Sequence, residues 1–357
     1  AGDRFDRRWV IAFGMILASV AGAVGTFGES YFGLAVSRAL VGLGTAAVVS
    51  VANSILGQIY DGPRKASRLA IFNLGLFLGG VIGFATGMAL GFPMVVFALA
   101  VPGIVLSIVV IAMPVPPIEE PRPSTSLDSR VSPIASPVKY ILAMIRQFIR
   151  DSRTLLGIAT LRWVIASTTV MAFAAGGYNA WLKEFLVVDK SMTDEEATAL
   201  LTLALAGGLS GIIVGGRIAD RFARKWASGR LWVIVIGMSA TLPCAAIAIE
   251  LPAGLGLDVA GVATLFFISW YHAPMAATVD DLAPPGLTVA AQGLVIFTMH
   301  MLGTAPSSWV IGEISELSSL HVAMWVPTGA LVIAAASMAA ATRSFEQDRA
   351  HASAGAG

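Results

Sequence analysis

Arg38 stands in the apolar stretch Ser37-Arg38-Ala39-Leu40-Val41-Gly42-Leu43-Gly44-Thr45, with Leu34, Ala35, Val41 and Gly42 one helical turn to either side. A guanidinium placed there without a local carboxylate must find an anion, carbonyl dipoles or water elsewhere. Its fork of donors suits a carboxylate or a phosphate; the alternative is a side chain that snorkels to the membrane edge. His300, in Thr298-Met299-His300-Met301-Leu302-Gly303, is a second such group. Imidazole exchanges a proton near neutral pH, which suits proton coupling, and a neutral ring bonded to a neighbouring helix reads equally well. Gly176-Gly177-Tyr178-Asn179-Ala180-Trp181 sets Tyr178, Asn179 and Trp181 beside a flexible glycine pair. These three either line a cavity or anchor a membrane edge. His272, beside Trp270 and Tyr271, reads as structural, and Asp280-Asp281 reads as a cap for the helix that follows.

The elements that carry these groups are membrane spans. The chain of 357 residues is 56% hydrophobic and 13% charged, with a mean hydropathy of +0.79. Soluble proteins carry roughly a quarter charged residues. No soluble core hides so much apolar surface, so the class is an all-α integral membrane protein. A net charge of +1 gives no sign of a nucleic-acid partner. The single Cys244 excludes a disulfide framework and a cysteine metal site. There is no H-E-x-x-H, G-x-S-x-G or P-loop, so no enzyme, metal or cofactor is expected. No signal peptide is expected either.

Ten apolar segments are long enough to span, near 9–28, 31–59, 68–90, 92–113, 161–182, 195–216, 231–249, 257–279, 288–312 and 321–342. Glycines such as Gly75, Gly79, Gly80, Gly83 and Gly87 predict close helix packing in lipid. With the first turn in the cytoplasm and alternation thereafter, 20 of the 23 Lys and Arg residues fall in cytoplasmic segments. The positive-inside rule then puts both ends of this chain in the cytoplasm. Residues 114–137 hold seven prolines and read as a linker. After it, Val138, Ile141, Leu142, Ile145 and Phe148 recur at helical spacing, with Lys139, Arg146, Gln147 and Arg150 opposite. That is an amphipathic helix, lying on the membrane surface or packed on the bundle. Thr193-Asp194-Glu195-Glu196 forms a capping box that starts the sixth span.

A repeated turn organises the chain. Asp3-Arg4-Phe5-Asp6-Arg7-Arg8-Trp9 returns at an offset of 217 as Asp220-Arg221-Phe222-Ala223-Arg224-Lys225-Trp226, each copy leading into an apolar segment. Two related helical halves are the internal symmetry of many transporters. The second half has two spans before its copy of the turn and four after it. The first has four after and none before. Two helices are therefore expected to be missing from the first half, leaving about ten of twelve.

The turn resembles the cytoplasmic loop signature of the major facilitator superfamily, G-x-x-x-D-R-x-x-R-[RK]. Gly216 through Lys225 carries it whole, with Asp220, Arg221, Arg224 and Lys225; Gly2, Asp3, Arg4, Arg7 and Arg8 carry its tail. Arg38-x-x-x-Gly42-x-Gly44 is similar to the superfamily's fourth-helix motif. Ser37 through Gly44, Ala180 through Leu186, and His300 through Ser308 resemble the Spinster-like group. Thr304, Ser308 and Thr45 stand where that group has Asp, Pro and Glu; the loss of the Glu removes a partner for Arg38. The resemblance implies a two-bundle fold: an incomplete bundle over 1–113, a linker with the amphipathic helix over 114–160, a six-helix bundle over 161–343 and a disordered tail over 344–357. It implies a secondary transporter, ion- or proton-coupled, moving a small organic, lipid-like or anionic substrate by alternating access. Asp3 and Asp220 would latch the bundles in one state. The chain is expected to be a monomer in a bacterial inner membrane. A non-transporting sensor, or an inactive transporter fragment, is the other reading.

Overall fold

The computed structural model describes residues 6–27, 30–60, 62, 64–113 and 137–354, with the backbone alone over 137–141. The proline-rich segment 114–136, with Gly2, Asp3 and Arg4, lies outside the described residues. Ten helices are long and apolar enough to cross a membrane, and each overlaps one of the ten expected spans. The first four are α1 (Arg7–Gly25), α2 (Tyr31–Ile59), α3 (Lys65–Leu90) and α4 (Met94–Ala112). After α5 (Pro137–Gly157) come α6 (Ala159–Val188), α7 (Asp194–Ala223) and α8 (Gly229–Glu250).

The last three spans are interrupted. One is α9 (Leu255–Ile268) joined to α10 (His272–Leu282) by a 3₁₀ turn; the next is α11 (Thr288–Thr298) joined to α12 (Ala305–Leu317) by π-helix over Met299–Thr304. The tenth is the short α13 (Leu320–Ala323) followed by α14 (Trp325–Ala354). There is no strand among the described residues.

Local chemistry starts and ends these helices. Asp6 caps α1, its carboxylate accepting the Arg8 N–H at 3.0 Å. The Arg8 guanidinium, then that N–H, hold the Asp6 carboxyl below the usual range. Thr193 and Glu196 exchange both bonds of the capping box that opens α7. The expected disordered tail is instead the end of α14. Its Asp348 accepts the Thr160 N–H at 2.7 Å, its Ser344 hydroxyl lies 2.8 Å from that of Thr160, and Phe345 is buried. Those contacts hold the helix on α6 through position 348 and the helix runs on to 354, whereas composition alone shows only a polar, small-residue end; residues 355–357 lie outside the described residues.

Small residues do bring helices together; of the five expected glycines, Gly83 and Gly87 face Leu99 and Val95 of α4, and the other three face no helix. A methyl on Gly14 of α1 would lie 2.7 Å from the Gly44 carbonyl oxygen of α2, which only hydrogen at Cα permits. Methyls on Gly75, Gly79 and Gly80 of α3 would meet nothing within 4 Å. Spacing shows which residues share a stripe, but not whether a partner helix lies on that stripe.

The first four helices pack on one another through α1, α2 and α4, and the later ones around α6, α8 and α14. The largest core, with Leu161, Met171, Leu231, Met238, Leu331 and Met338, belongs to the second set. α3 meets α7 and α10, and α2 meets α10 and α11, which joins the two sets.

Candidate functional site

The junction between the two sets is built from helix ends. The first N–H groups of a helix have no partner within it, and Arg64, preceding α3, supplies no side-chain cap. Asp220, near the end of α7, fills that place from the other half of the chain. Its Oδ1 accepts the Ala66 N–H at 3.0 Å and its Oδ2 accepts the Ser67 N–H at 2.8 Å. A carboxylate is favoured at this positive end of α3, and Asp220 is buried. Gly216, one turn earlier, makes the approach possible, because a methyl there would stand 2.8 Å from the Ala70 Cβ.

Among the described residues, an ion network of Lys65, Asp280, Asp281 and Arg230 lies beside this cap. Lys65, in the first turn of α3, pairs with Asp280 and, at 2.7 Å, with Asp281. Asp281 also pairs with Arg230 in the first turn of α8, whose Nη2 donates to the Gly62 carbonyl at 3.1 Å. Each charge is placed against its own helix dipole: cations at two N-termini, carboxylates at the C-terminus of α10. The partners must therefore come from neighbouring elements. Asp280 and Asp281, which the sequence reads as a cap for the following helix, pair instead with cations of α3 and α8. Their partner Lys65 lies 215 and 216 residues away, a separation that local pattern cannot bridge. The only signal in the sequence was a carboxylate pair at a helix C-terminus with no cation one turn off.

The two copies of the repeated turn fold differently. In the first, α1 begins at Arg7, within the motif. In the second, α7 ends at Ala223 and α8 begins only at Gly229. Asp6 caps a helix at once, and Ala223, the residue in the matching place, has no oxygen to do so. Arg7 donates to the Gln58 Oε1 at 2.9 Å, tying α1 to the end of α2. Arg224 donates to the Asp220 carbonyl at 3.3 Å, within its own turn, while Arg221 and Lys225 are exposed.

Toward the opposite end, Arg38, Gly42 and Thr45 form one exposed stripe along α2 at i, i+4 and i+7. Val49, Ala52 and Leu56 continue it, becoming half-buried where Leu56 packs on the core shared by α3, α7 and α10. Arg38 has no hydrogen-bond or ion-pair partner among the described residues. The Thr45 hydroxyl is satisfied by the Val41 and Gly42 carbonyls of its own helix. His300 lies exposed in the π-helical segment. It continues the α11 face on which Val289 packs against Val51 and Ile55 of α2.

Tyr178 and Trp181 are engaged elsewhere. The Tyr178 hydroxyl meets that of Thr328 in α14 at 2.7 Å, and the Trp181 indole donates to the Ser308 carbonyl of α12 at 2.9 Å. The glycine pair before them is a packing site, since a methyl on Gly176 would lie 2.6 Å from the Ser307 hydroxyl. Asn179 is the exposed member of the group. Trp181→Phe keeps the ring and loses one bond, so it should cost about 1 kcal/mol. A thermal unfolding midpoint in detergent unchanged from wild type would contradict this.

Two sets of membrane helices, related by a repeated turn and joined at one end through helix caps and ion pairs, define the two-bundle fold of a multi-pass membrane protein. The chain belongs to the Major Facilitator Superfamily, whose sequence model matches residues 1–308. Within it, sequence similarity runs to Spinster-like proteins. The zebrafish (Danio rerio) protein spinster homolog 3 is 25% identical over 347 residues, 90% of this chain and 66% of that one. The Xenopus tropicalis sphingosine-1-phosphate transporter SPNS2 is 25% identical over 363 residues, 91% of this chain and 64% of that one. The chain thus spans less than two thirds of the length of these curated relatives. Among solved structures, the human organic anion transporter MFSD10 superposes with a TM-score of 0.75 at 16% identity, covering 94% of this chain and 78% of that one. A bacterial homolog of the human lysosomal transporter Spinster, inward-facing and unoccupied, gives 0.60 at 18% identity, covering 97% and 85%.

Proposed function

We propose that this chain is a secondary active transporter that moves a small organic, lipid-like anionic substrate by alternating access, coupled to an ion or proton gradient. The carrying observation is the junction itself. Asp220 on the α3 N-terminus, Lys65 on Asp280 and Asp281, and Arg230 on the Gly62 carbonyl join the two sets of helices at the basic end. The stripe headed by Arg38 stays exposed toward the other end. Closed at one end and open at the other is the arrangement of one access state.

In this reading residues 1–113 and 161–343 rock as two bundles, and the basic end faces the cytoplasm of a bacterial cell by the positive-inside rule. The unit is a monomer in the inner membrane. Arg38 offers a permanent positive charge with a planar fork, which suits a phosphate or carboxylate head group. SPNS2, the relative named a sphingosine-1-phosphate transporter, supports an amphipathic anion. His300 is the titratable group on the α11 face toward α2 and takes the proton-coupling role. Asp220, with the basic residues of its turn, is the latch.

Uptake by proteoliposomes tests the function. A long-chain phosphate or carboxylate should enter faster than into protein-free vesicles, and its neutral analogue should not. No acceleration for any amphipathic anion would leave the non-transporting reading. The latch has its own readout. Asp220→Asn keeps the side-chain size, but leaves one neutral carbonyl where two charged oxygens accepted the Ala66 and Ser67 N–H groups and turns an amide N–H toward the other. A cysteine at the basic end should then become more reactive to a water-soluble maleimide, with substrate affinity nearly unchanged. Equal labelling in both proteins would remove the latch.

A further inference from the structure

We propose that α5 is a docking helix for anionic phospholipid, seated in the head-group layer at the basic end of the protein. At about 100° per residue, its side chains sort into three adjacent faces. Leu155, buried in the main core, and Phe148, edge-on to Phe297 of α11 with centroids 5.7 Å apart, attach it to the bundle. The sequence pattern put Phe148 with Leu142 and Ile145; the structure turns it toward α11 instead. Beside that face runs an unpartnered apolar stripe: Leu142, Ile145, Ile149 and Leu156 are 39–49% exposed. Beyond the stripe lie Arg146, Arg150 and Arg153, all exposed, with no ion-pair partner among the described residues.

This order points to one occupant. Water would solvate the arginines but not four adjacent aliphatic side chains, and a purely apolar partner would leave the arginines unpaired. A bilayer surface satisfies both, acyl chains under the stripe and phosphate oxygens against the guanidiniums. The level fits as well. Phe297 belongs to a membrane span and is itself 48% exposed, and α5 runs almost directly into α6, the next span. The proposal rests on the membrane reading of the fold and not on the transport function.

The test is depth measurement by electron paramagnetic resonance on the full chain. Cys244→Ser removes the native thiol and Ile149→Cys carries the spin label. The protein is reconstituted in phosphatidylcholine with or without phosphatidylglycerol. With anionic lipid, the label should collide with oxygen more than with a water-soluble nickel chelate. Arg146→Gln, Arg150→Gln and Arg153→Gln together should reverse that preference, and 0.5 M salt should weaken it. A label open to the chelate in every membrane overturns the proposal, as does one shielded from both reagents, which means protein covers the stripe. Burial that is equal in neutral and anionic bilayers overturns the anionic partner.

Discussion

Arg38→Gln should abolish measurable uptake in reconstituted vesicles and weaken binding of the proposed anionic substrate about a hundredfold. The figure follows from the geometry of the fork. Hydrogen bonds to a charged group contribute about 1.5–3 kcal/mol each, and a bidentate contact makes two, so roughly 3 kcal/mol is at stake at 1.4 kcal/mol per factor of ten. Gln offers a single amide without charge. Arg38→Lys restores the charge but not the planar fork, and should recover only part of the affinity. The side chain makes no internal bond among the described residues, so the substitution leaves folding nearly intact. The Gln variant therefore stays in the membrane and keeps its thermal midpoint. Full transport by that variant sinks the assignment. So does quenching of a fluorophore at position 38 by lipid-attached quenchers, because the side chain would then lie in the bilayer.

Asp281→Asn should produce the second large effect, on the balance between access states. Asp281 bridges two cations, Lys65 at 2.7 Å and Arg230, all with side chains no more than 11% exposed. Removing one partner of a buried ion pair costs about 3–5 kcal/mol, because the opposite charge stays buried without compensation. In the rocking-bundle reading the penalty falls on the state closed at the basic end, where Lys65 of α3 reaches Asp281 of α10. The population should shift toward the other state by two to three orders of magnitude. Maleimide labelling of a cysteine at the basic end reads this directly.

A control separates the pair from its burial. Lys65→Met with Asp280→Leu and Asp281→Leu removes the charges on both sides of α3 and α10, and Arg230→Met completes the exchange. Replacing a whole buried network with apolar groups is often neutral. The quadruple variant should therefore close more nearly like wild type than Asp281→Asn does. If the single and quadruple variants label alike, the network is not what holds this end.

The ten spans were legible because membrane helices write themselves as long apolar runs, and the Thr193–Glu196 box is a local device spanning three residues. The candidate site was legible in part. Asp220 stood out through the repeated turn and Arg38 as a charge in an apolar run. Lys65 and Arg230 did not stand out, since each looks ordinary beside its own neighbours in sequence, and the Asp280-Asp281 pair read only as a helix cap. Tyr178 and Trp181 looked available for a cavity, and the structure commits their polar atoms to α14 and α12. Nothing in the spacing of a Tyr tells whether a hydroxyl waits across the groove.

By itself, the sequence determined what depends on short range and on solvent: a membrane class, ten spans, which end is basic, and where helices begin. Those follow from hydrophobic transfer and from capping, both properties of a residue and its near neighbours. The tertiary structure alone decided which helix ends meet. Asp220 caps α3 only because Gly216 lets α7 pass close to Ala70, and Lys65 is neutralised only because α10 ends beside it. Charges set against their own helix dipoles have no local solution, so their partners are chosen by how the two halves pack.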